Sequence, residues 1–235
     1  MFLDGRVRVT QPQTGFRAGL DAVMLAAAIP AHSGQTALEL GSGAGTASLC
    51  LAARVPGLAV TGVEIDASLV ALAQANAKAN AAPVGFVAAD VFALPAELKR
   101  DFDHVFCNPP FHGEGLASPD AARATALMDG GKLSDWLKLG LQRTVSGGYF
   151  TAILRADRLN EALAVLPERG VCALPLWPRI GESPKRVIVQ ARKGSGAPFT
   201  LLPGLVLHQE NGAWTNESEA VLRRGESLAL SGARL

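Results

Sequence analysis

Glu39-Leu40-Gly41-Ser42-Gly43-Ala44-Gly45 decides the fold. An apolar run, Thr36–Leu40, leads into it as a strand, and Thr46–Arg54 leads out of it as a helix. The glycines permit a tight turn and leave bare backbone at a helix N-terminus, where a ligand can lie. The same strand-then-helix unit recurs downstream. Ala59–Val63 reads as a strand ending in Glu64, Ala67–Ala81 as an Ala- and Asn-rich helix, and Val84–Ala88 as a strand leading to Asp90. His104–Cys107 is the fourth strand. Leu133–Val145 reads as a helix broken by Gly147-Gly148, followed by a strand at Tyr149–Leu154. Asp157 is expected to cap a helix reaching about Glu168, and Val171–Leu176 and Arg186–Ala191 to pair as the last two strands. This alternation predicts an α/β protein with a doubly wound, mostly parallel sheet of seven strands, covered on both faces.

Upstream, Arg6-Val7-Arg8-Val9-Thr10 alternates and is expected to form an edge strand. Gln11–Arg17 is a polar loop, and a helix spans about Leu20–Ile29, stopping at Pro30. From Gly194 the character changes. Leu205–His208 and Ala213–Thr215 flank Asn211-Gly212, a hairpin signal, and Ser218–Arg224 suits a last helical turn or two. The expectation is a single domain over residues 1–235, with 1–30 as an N-terminal extension and 194–235 as a small hairpin appendage.

The chain has 235 residues, is nearly half apolar and carries a net charge of +1. That length can bury a sizeable core. The charge excludes nucleic-acid binding by the field of the whole molecule, so any such partner needs a local basic patch. Cys50, Cys107 and Cys172 are widely spaced and, with four scattered histidines, form no disulfide framework and no metal motif. A reducing cytoplasm and no metal are therefore expected. The apolar Ala18–Pro30 segment is too short to span a bilayer, and Asp21 interrupts it.

In an open parallel sheet, ligands sit outside the carboxyl ends of the strands. The polar residues singled out here all fall at such ends. A dinucleotide turn has the spacing G-x-G-x-x-G, whereas this one is G-x-G-x-G after an acidic residue, a pattern closer to S-adenosylmethionine sites. Glu64, about 20 residues on, can accept from both hydroxyls of a ribose. Asp90 can accept from an adenine amino group, with Ile65 and Val91 as apolar walls. The fourth strand runs into Asn108-Pro109-Pro110-Phe111. Neither proline can extend a ladder, so the result is a stiff corner offering an amide, a bare carbonyl and an aromatic ring. Those three groups suit a planar amine: two acceptors for its hydrogens and a face for stacking. Together the parts imply methyl transfer from a sulfonium to nitrogen, without metal or strong base. An NAD-dependent oxidoreductase is a rival, but it would leave the proline corner without a task. A binding module that has lost turnover is another, against which the intact Asn108 argues.

From Phe16 to Leu230 the sequence resembles the bacterial tRNA (adenine-N6)-methyltransferases that modify the anticodon loop of a valine tRNA. The resemblance is carried by Phe16-Arg17-Ala18-Gly19-Leu20-Asp21-Ala22-Val23, by Glu39–Gly45, by Asn108–Phe111 and by Ser218-Glu219-Ala220. It implies a Rossmann-like methyltransferase fold, S-adenosylmethionine as cofactor and an RNA substrate. It also implies that Gly19 and Asp21 wall the methionine end of that cofactor, beside Glu39, Gly41, Ser42, Gly43, Gly45, Glu64, Ile65, Asp90, Val91 and Asn108. Asn108, Pro109, Pro110 and Phe111 would form the catalytic corner. Two departures widen the substrate class. Well-known members carry Tyr where this chain has Phe111, and Phe111-His112-Gly113 also resembles the corner of ribosomal-RNA guanine-N2 methyltransferases. Asn-Pro-Pro-aromatic occurs as well in enzymes that methylate a protein glutamine. For RNA contact, Arg6, Arg8, Arg17, Arg179, Lys185, Arg186, Arg192 and Lys193 would make a phosphate track if they converged on the corner. Gly113–Ala126 is expected to be a substrate lid.

Overall fold

The computed structural model describes residues 1–15, 17–110 and 133–230. Phe111, His112 and the expected lid at Gly113–Ala126 lie outside the described residues, as does Phe16.

Among the described residues, the chain runs α1 (Leu20–Ala28), β1 (Thr36–Leu40), α2 (Thr46–Arg54), β2 (Ala59–Glu64), α3 (Ala67–Ala79), β3 (Val84–Ala88) and β4 (Phe102–Cys107). Then follow α4 (Leu133–Gln142), β5 (Thr144–Arg155), α5 (Leu159–Leu163), β6 (Val171–Trp177), β7 (Arg186–Arg192), β8 (Thr200–Leu201), β9 (Leu205–Val206) and α6 (Asn216–Leu222). The strands form one sheet in the order β3-β2-β1-β4-β5-β7-β6-β8, with β9 also on β6. The seven expected strands are all present, and β8 and β9 are two-residue additions. β1 to β5 are mutually parallel, and only β7 runs against its neighbours.

Both sheet faces are buried, which is why the strands read as continuous apolar runs. On one face α1, α2 and α3 pack Met24, Leu25, Leu51 and Ala73 over Phe106, Ile153 and Ile188. On the other, α4 and α5 pack Trp136, Leu137 and Ala162 over Leu38, Val105 and Phe150. From β1 the chain winds outward through β2 and β3, then returns across β1 to β4 and β5. Strand order therefore reverses between β1 and β4, the point at which open parallel sheets bind their ligands.

Three expectations change. Arg6–Thr10 is not an edge strand. Only an isolated bridge, Phe2 to Val7, forms there, and Arg8 and Thr10 bond instead to side chains of α3, Asn80 and Asn76. The helix expected to end at Val145 stops at Gln142, and β5 takes in Gly147-Gly148. Gly147 has φ +80°, and the two glycines carry an irregularity in the ladder with β4, so they kink a strand and do not break a helix. Asp157 caps no helix: it pairs with Arg155, and α5 ends at Leu163. In the tail the hairpin persists as one bridge, His208 to Trp214, whose rings stack 4.1 Å apart. No helix among the described residues is long and apolar enough to cross a membrane.

Candidate active site

The parallel registers bring four strand ends side by side. Leu40 pairs with Val63 on one flank and with Cys107 on the other, and Glu64 pairs with Ala88. Gly41 and Asn108 are thus each one residue beyond a directly paired position, on strands about 5 Å apart. The glycine turn and the proline corner therefore stand side by side where the strand order reverses.

The turn is held by the neighbouring strand. The Gly41 and Ser42 amides both donate to the Val63 carbonyl at 2.9 Å, and Gly45 N–H closes onto Ser42 O at 2.9 Å. Gly45 lies at φ +83°, and a Cβ there would sit 2.5 Å from the Phe86 ring. Gly43 is different: φ is +54°, but a Cβ would meet nothing within 4 Å. Packing demands glycine at position 45, whereas at 43 open space lies against bare backbone, as a ligand cradle requires. Glu39 sits behind the turn and is 4% exposed. One of its oxygens, Oε2, accepts from Ser48 N–H at 3.1 Å and from Ser48 Oγ at 2.5 Å, tying β1 to the first turn of α2. Burial pushes its pKa up to about 8 against these bonds, so it holds a proton at neutral pH.

Glu64 is buried at the end of β2. Its Oε2 accepts from Gly43 N–H at 2.9 Å and its Oε1 from Asp66 N–H at 3.1 Å. Each oxygen keeps a second lone pair for a hydroxyl donor. Ile65 beside it is 49% exposed. Asp90 is exposed and its Oδ1 accepts from Phe92 N–H at 2.9 Å. Val91 lies in the core, while Phe92 is 42% exposed and meets Trp136 edge-on, with ring centroids 5.9 Å apart.

At the corner Asn108 is half-buried, Pro109 buried and Pro110 exposed. Asn108 Oδ1 is buried and accepts no hydrogen bond from the described residues. Ser42 Oγ and Thr46 Oγ1, on the glycine turn and at the start of α2, are buried and unbonded too. A buried acceptor left unmade is costly, so Asn108 Oδ1 marks a place where a donor belongs. Gly19 precedes the first residue of α1, and Asp21 in its first turn pairs with Arg186 of β7 at 2.7 Å. A sulfonium nucleoside fits this set: open backbone at Gly43, a ribose acceptor at Glu64, an apolar face at Ile65 and an amine acceptor at Asp90. Among the described residues no three His, Cys, Asp or Glu side chains group as metal ligands.

Comparison with known families matches residues 17–133 to the methyltransferase small domain. That span holds every strand end described above. Residues 17–133 belong to the methyltransferase small domain family. The chain is a methyltransferase, and its methyl donor is S-adenosylmethionine. Among curated proteins it is similar to a tRNA1(Val) (adenine(37)-N6)-methyltransferase of Shewanella baltica, 27% identical over 89% of this chain and 91% of that one. A protein of the same name from Yersinia enterocolitica is 26% identical over 91% and 87%. Among solved structures it is similar to a predicted O-methyltransferase from Agrobacterium tumefaciens, at a TM-score of 0.74 and 26% identity over 90% of this chain and all of that one.

Two aromatic residues beside the glycine turn escape a reading of the sequence. Trp136 of α4 reaches the turn, 2.9 Å from where a Cβ on Gly41 would stand, and it supports the exposed Phe92. Phe92 carried a signal, an aromatic two residues beyond a strand-end acid. Trp136 carried none, being brought in by packing. The basic residues do not converge. Arg186 begins β7 at the carboxyl edge, paired in register with Arg155. Arg192 ends the same strand at the other edge, near Tyr149 and Gly147. Lys193 Nζ is held there by the Thr144 carbonyl at 2.6 Å, and Arg6 is bonded to the carbonyls of Leu3 and Arg223. Arg179 pairs with Glu182 in its own turn. A single phosphate track around the corner is not formed by these eight residues.

Proposed function

We propose that this methyltransferase places a methyl group on the exocyclic N6 amine of an adenine in tRNA. The observation that carries the reading is Asn108 Oδ1, a buried acceptor with no donor among the described residues, one residue past a strand paired to the one that ends in the glycine turn. Its relatives' names favour adenine in a tRNA as the target.

The bound donor supplies an electrophilic methyl on sulfur. The chain's own residues do the rest. Gly43 backbone and the Glu64 carboxylate hold and orient the nucleoside portion, and Asp90 with Ile65 holds its base. Asn108 Oδ1 and the Pro109 carbonyl accept the two amine hydrogens, which turns the nitrogen lone pair out of the base plane toward the methyl. Phe111 is assigned to stack on the flipped base, a contact worth about 1–3 kcal/mol. No strong base is needed, because the amine sheds its proton only as the C–N bond forms. Rate then comes from orientation and from dipoles fixed in place beforehand. The proline pair serves that end by removing backbone freedom at the corner. We further read residues 1–235 as one methyltransferase domain that works in the cytoplasm, where tRNA is found.

Incubation with methyl-labelled S-adenosylmethionine and, separately, bulk tRNA, ribosomal RNA and protein tests this reading. Digestion of the labelled tRNA should yield N6-methyladenosine. Label recovered instead in guanine N2, in protein glutamine or in no fraction would refute it.

A further inference from the structure

Two asparagines, Asn76 in α3 and Asn80 at its C-cap, form a structure that no role described so far uses. Asn76 is 3% exposed, although asparagine is a poor helix former. Its Oδ1 accepts from Thr10 N–H at 2.8 Å, and its Nδ2 donates to Thr10 O at 2.9 Å. One turn on, Asn80 repeats the pattern on Arg8: Oδ1 accepts from the N–H at 2.9 Å, and Nδ2 donates to the carbonyl at 2.6 Å. The spacings match. Two residues of extended chain advance about 6.6 Å and four helical residues about 6.0 Å, so side chains at 76 and 80 stand opposite residues 10 and 8. The side-chain amides act as the ladder of a missing strand.

The two rungs differ in one respect. Asn76 Nδ2 also donates to the Ala44 carbonyl at 3.0 Å, and Ala44 lies between Gly43 and Gly45 in the turn. Asn80 has no bond to that turn; its remaining bond is to Asn76 O in its own helix. The Ala44–Gly45 peptide is therefore gripped from α3, and Gly45 N–H is gripped by Ser42 O. Glycine turns are loose, and one held rigid before its ligand arrives spares the ordering cost of binding. We infer that Asn76 is a positioning residue for the cofactor: it fixes the glycine turn through Ala44 and, by its other two bonds, ties that turn to the N-terminal segment. The inference rests on the reading of the turn as the cofactor's cradle.

The test measures S-adenosylhomocysteine affinity by calorimetry, with the kinetic constants alongside, on the full chain. Asn76→Ala should weaken binding about three- to tenfold, the effect of one lost hydrogen bond. It should raise KM for S-adenosylmethionine and leave kcat unchanged at saturation. Asn80→Ala cuts a rung on the N-terminal segment without touching Ala44, and should bind within about twofold of the parent. Equal affinity in Asn76→Ala and the parent would overturn the inference, as would an equal loss in Asn80→Ala. A purely structural role would lower the melting temperature of both variants and split neither affinity nor KM between them. Should Asn76→Ala not fold, Asn76→Ser, which keeps a polar group at the site, is read in the same way. A parent protein that binds no S-adenosylhomocysteine would overturn the cradle reading itself, an outcome distinct from the others.

Discussion

Replacing Glu39 by Gln should make the protein progressively more stable as pH rises from about 5 to 8, and change little below about pH 5. Glu39 is buried behind the glycine turn, and burial raises its pKa from an ordinary 4.5 to about 8 despite two bonds from Ser48. Between those values the folded chain holds a proton that the unfolded chain has lost. Stability therefore falls as pH rises through this window, and levels off beyond it. At about 1.4 kcal/mol for each pH unit, the loss approaches 5 kcal/mol, a large share of the 5–15 kcal/mol that holds a typical domain together. Glutamine keeps the shape of the protonated acid, with an oxygen for Ser48 and no charge to bury.

The readout is urea unfolding of both proteins, without cofactor, from pH 5 to 8.5. The two should nearly coincide at pH 5, and their difference should widen steadily in favour of Gln up to about pH 8. Taking the difference matters because His104 works the other way. Its burial lowers its pKa to about 4, so it adds stability as pH rises from there to its ordinary 6.5. That contribution is common to both proteins and cancels. The Cys50 thiol, pushed up to about 12 by burial, acts only above the window. A difference that stays constant from pH 5 to 8.5 would show that Glu39 carries its charge in the folded protein, and the account of the turn's support would fail.

Asn108→Ala should keep S-adenosylhomocysteine affinity but lose about 10²–10³-fold in kcat, as loss of a fixed transition-state partner does; full activity would refute its role. Glu64→Ala removes the partner of Gly43 N–H together with the ribose acceptor, so the Kd for S-adenosylhomocysteine should rise about 10- to 100-fold. An unchanged Kd would count against that assignment. Gly45→Ala meets both left-handed strain and the Phe86 ring, and should cost about 2–5 kcal/mol in urea unfolding. Gly43→Ala meets strain alone, about 1–2 kcal/mol, but its methyl enters the open side of the turn, so its main effect should be on cofactor affinity. Equal stability losses in the two would contradict the packing described.

How far the sequence foretells this site follows from where each residue gets its meaning. Gly41, Gly43, Gly45, Glu64, Asp90 and Asn108 are legible because each lies at or just beyond the carboxyl end of a strand, and in a parallel sheet all those ends point the same way. Local chain direction alone fixes their company. Trp136 and Phe92 meet across forty-odd residues of chain only because α4 lies where it does, and no local pattern encodes that contact. Arg6–Thr10 misleads for a sharper reason. Alternation records only that successive side chains of an extended segment face opposite ways, as Val7 in and Arg8 out do here, and the asparagines at 76 and 80 pair with that segment's backbone as a strand would. The basic residues expose an inference that geometry could have stopped. Arg186 and Arg192 open and close one seven-residue strand, so about 20 Å of extended chain separates them. Two cations that far apart along a strand, with the sheet between them, cannot serve one crevice, whatever their number suggests. An RNA bound near Asn108 as proposed would draw on groups at the carboxyl edge, where Arg155, Arg179 and Arg186 each already face a carboxylate. A phosphate of the proposed substrate would there have to displace or share an ion pair, and the salt dependence of binding should then be shallower than eight free cations would give.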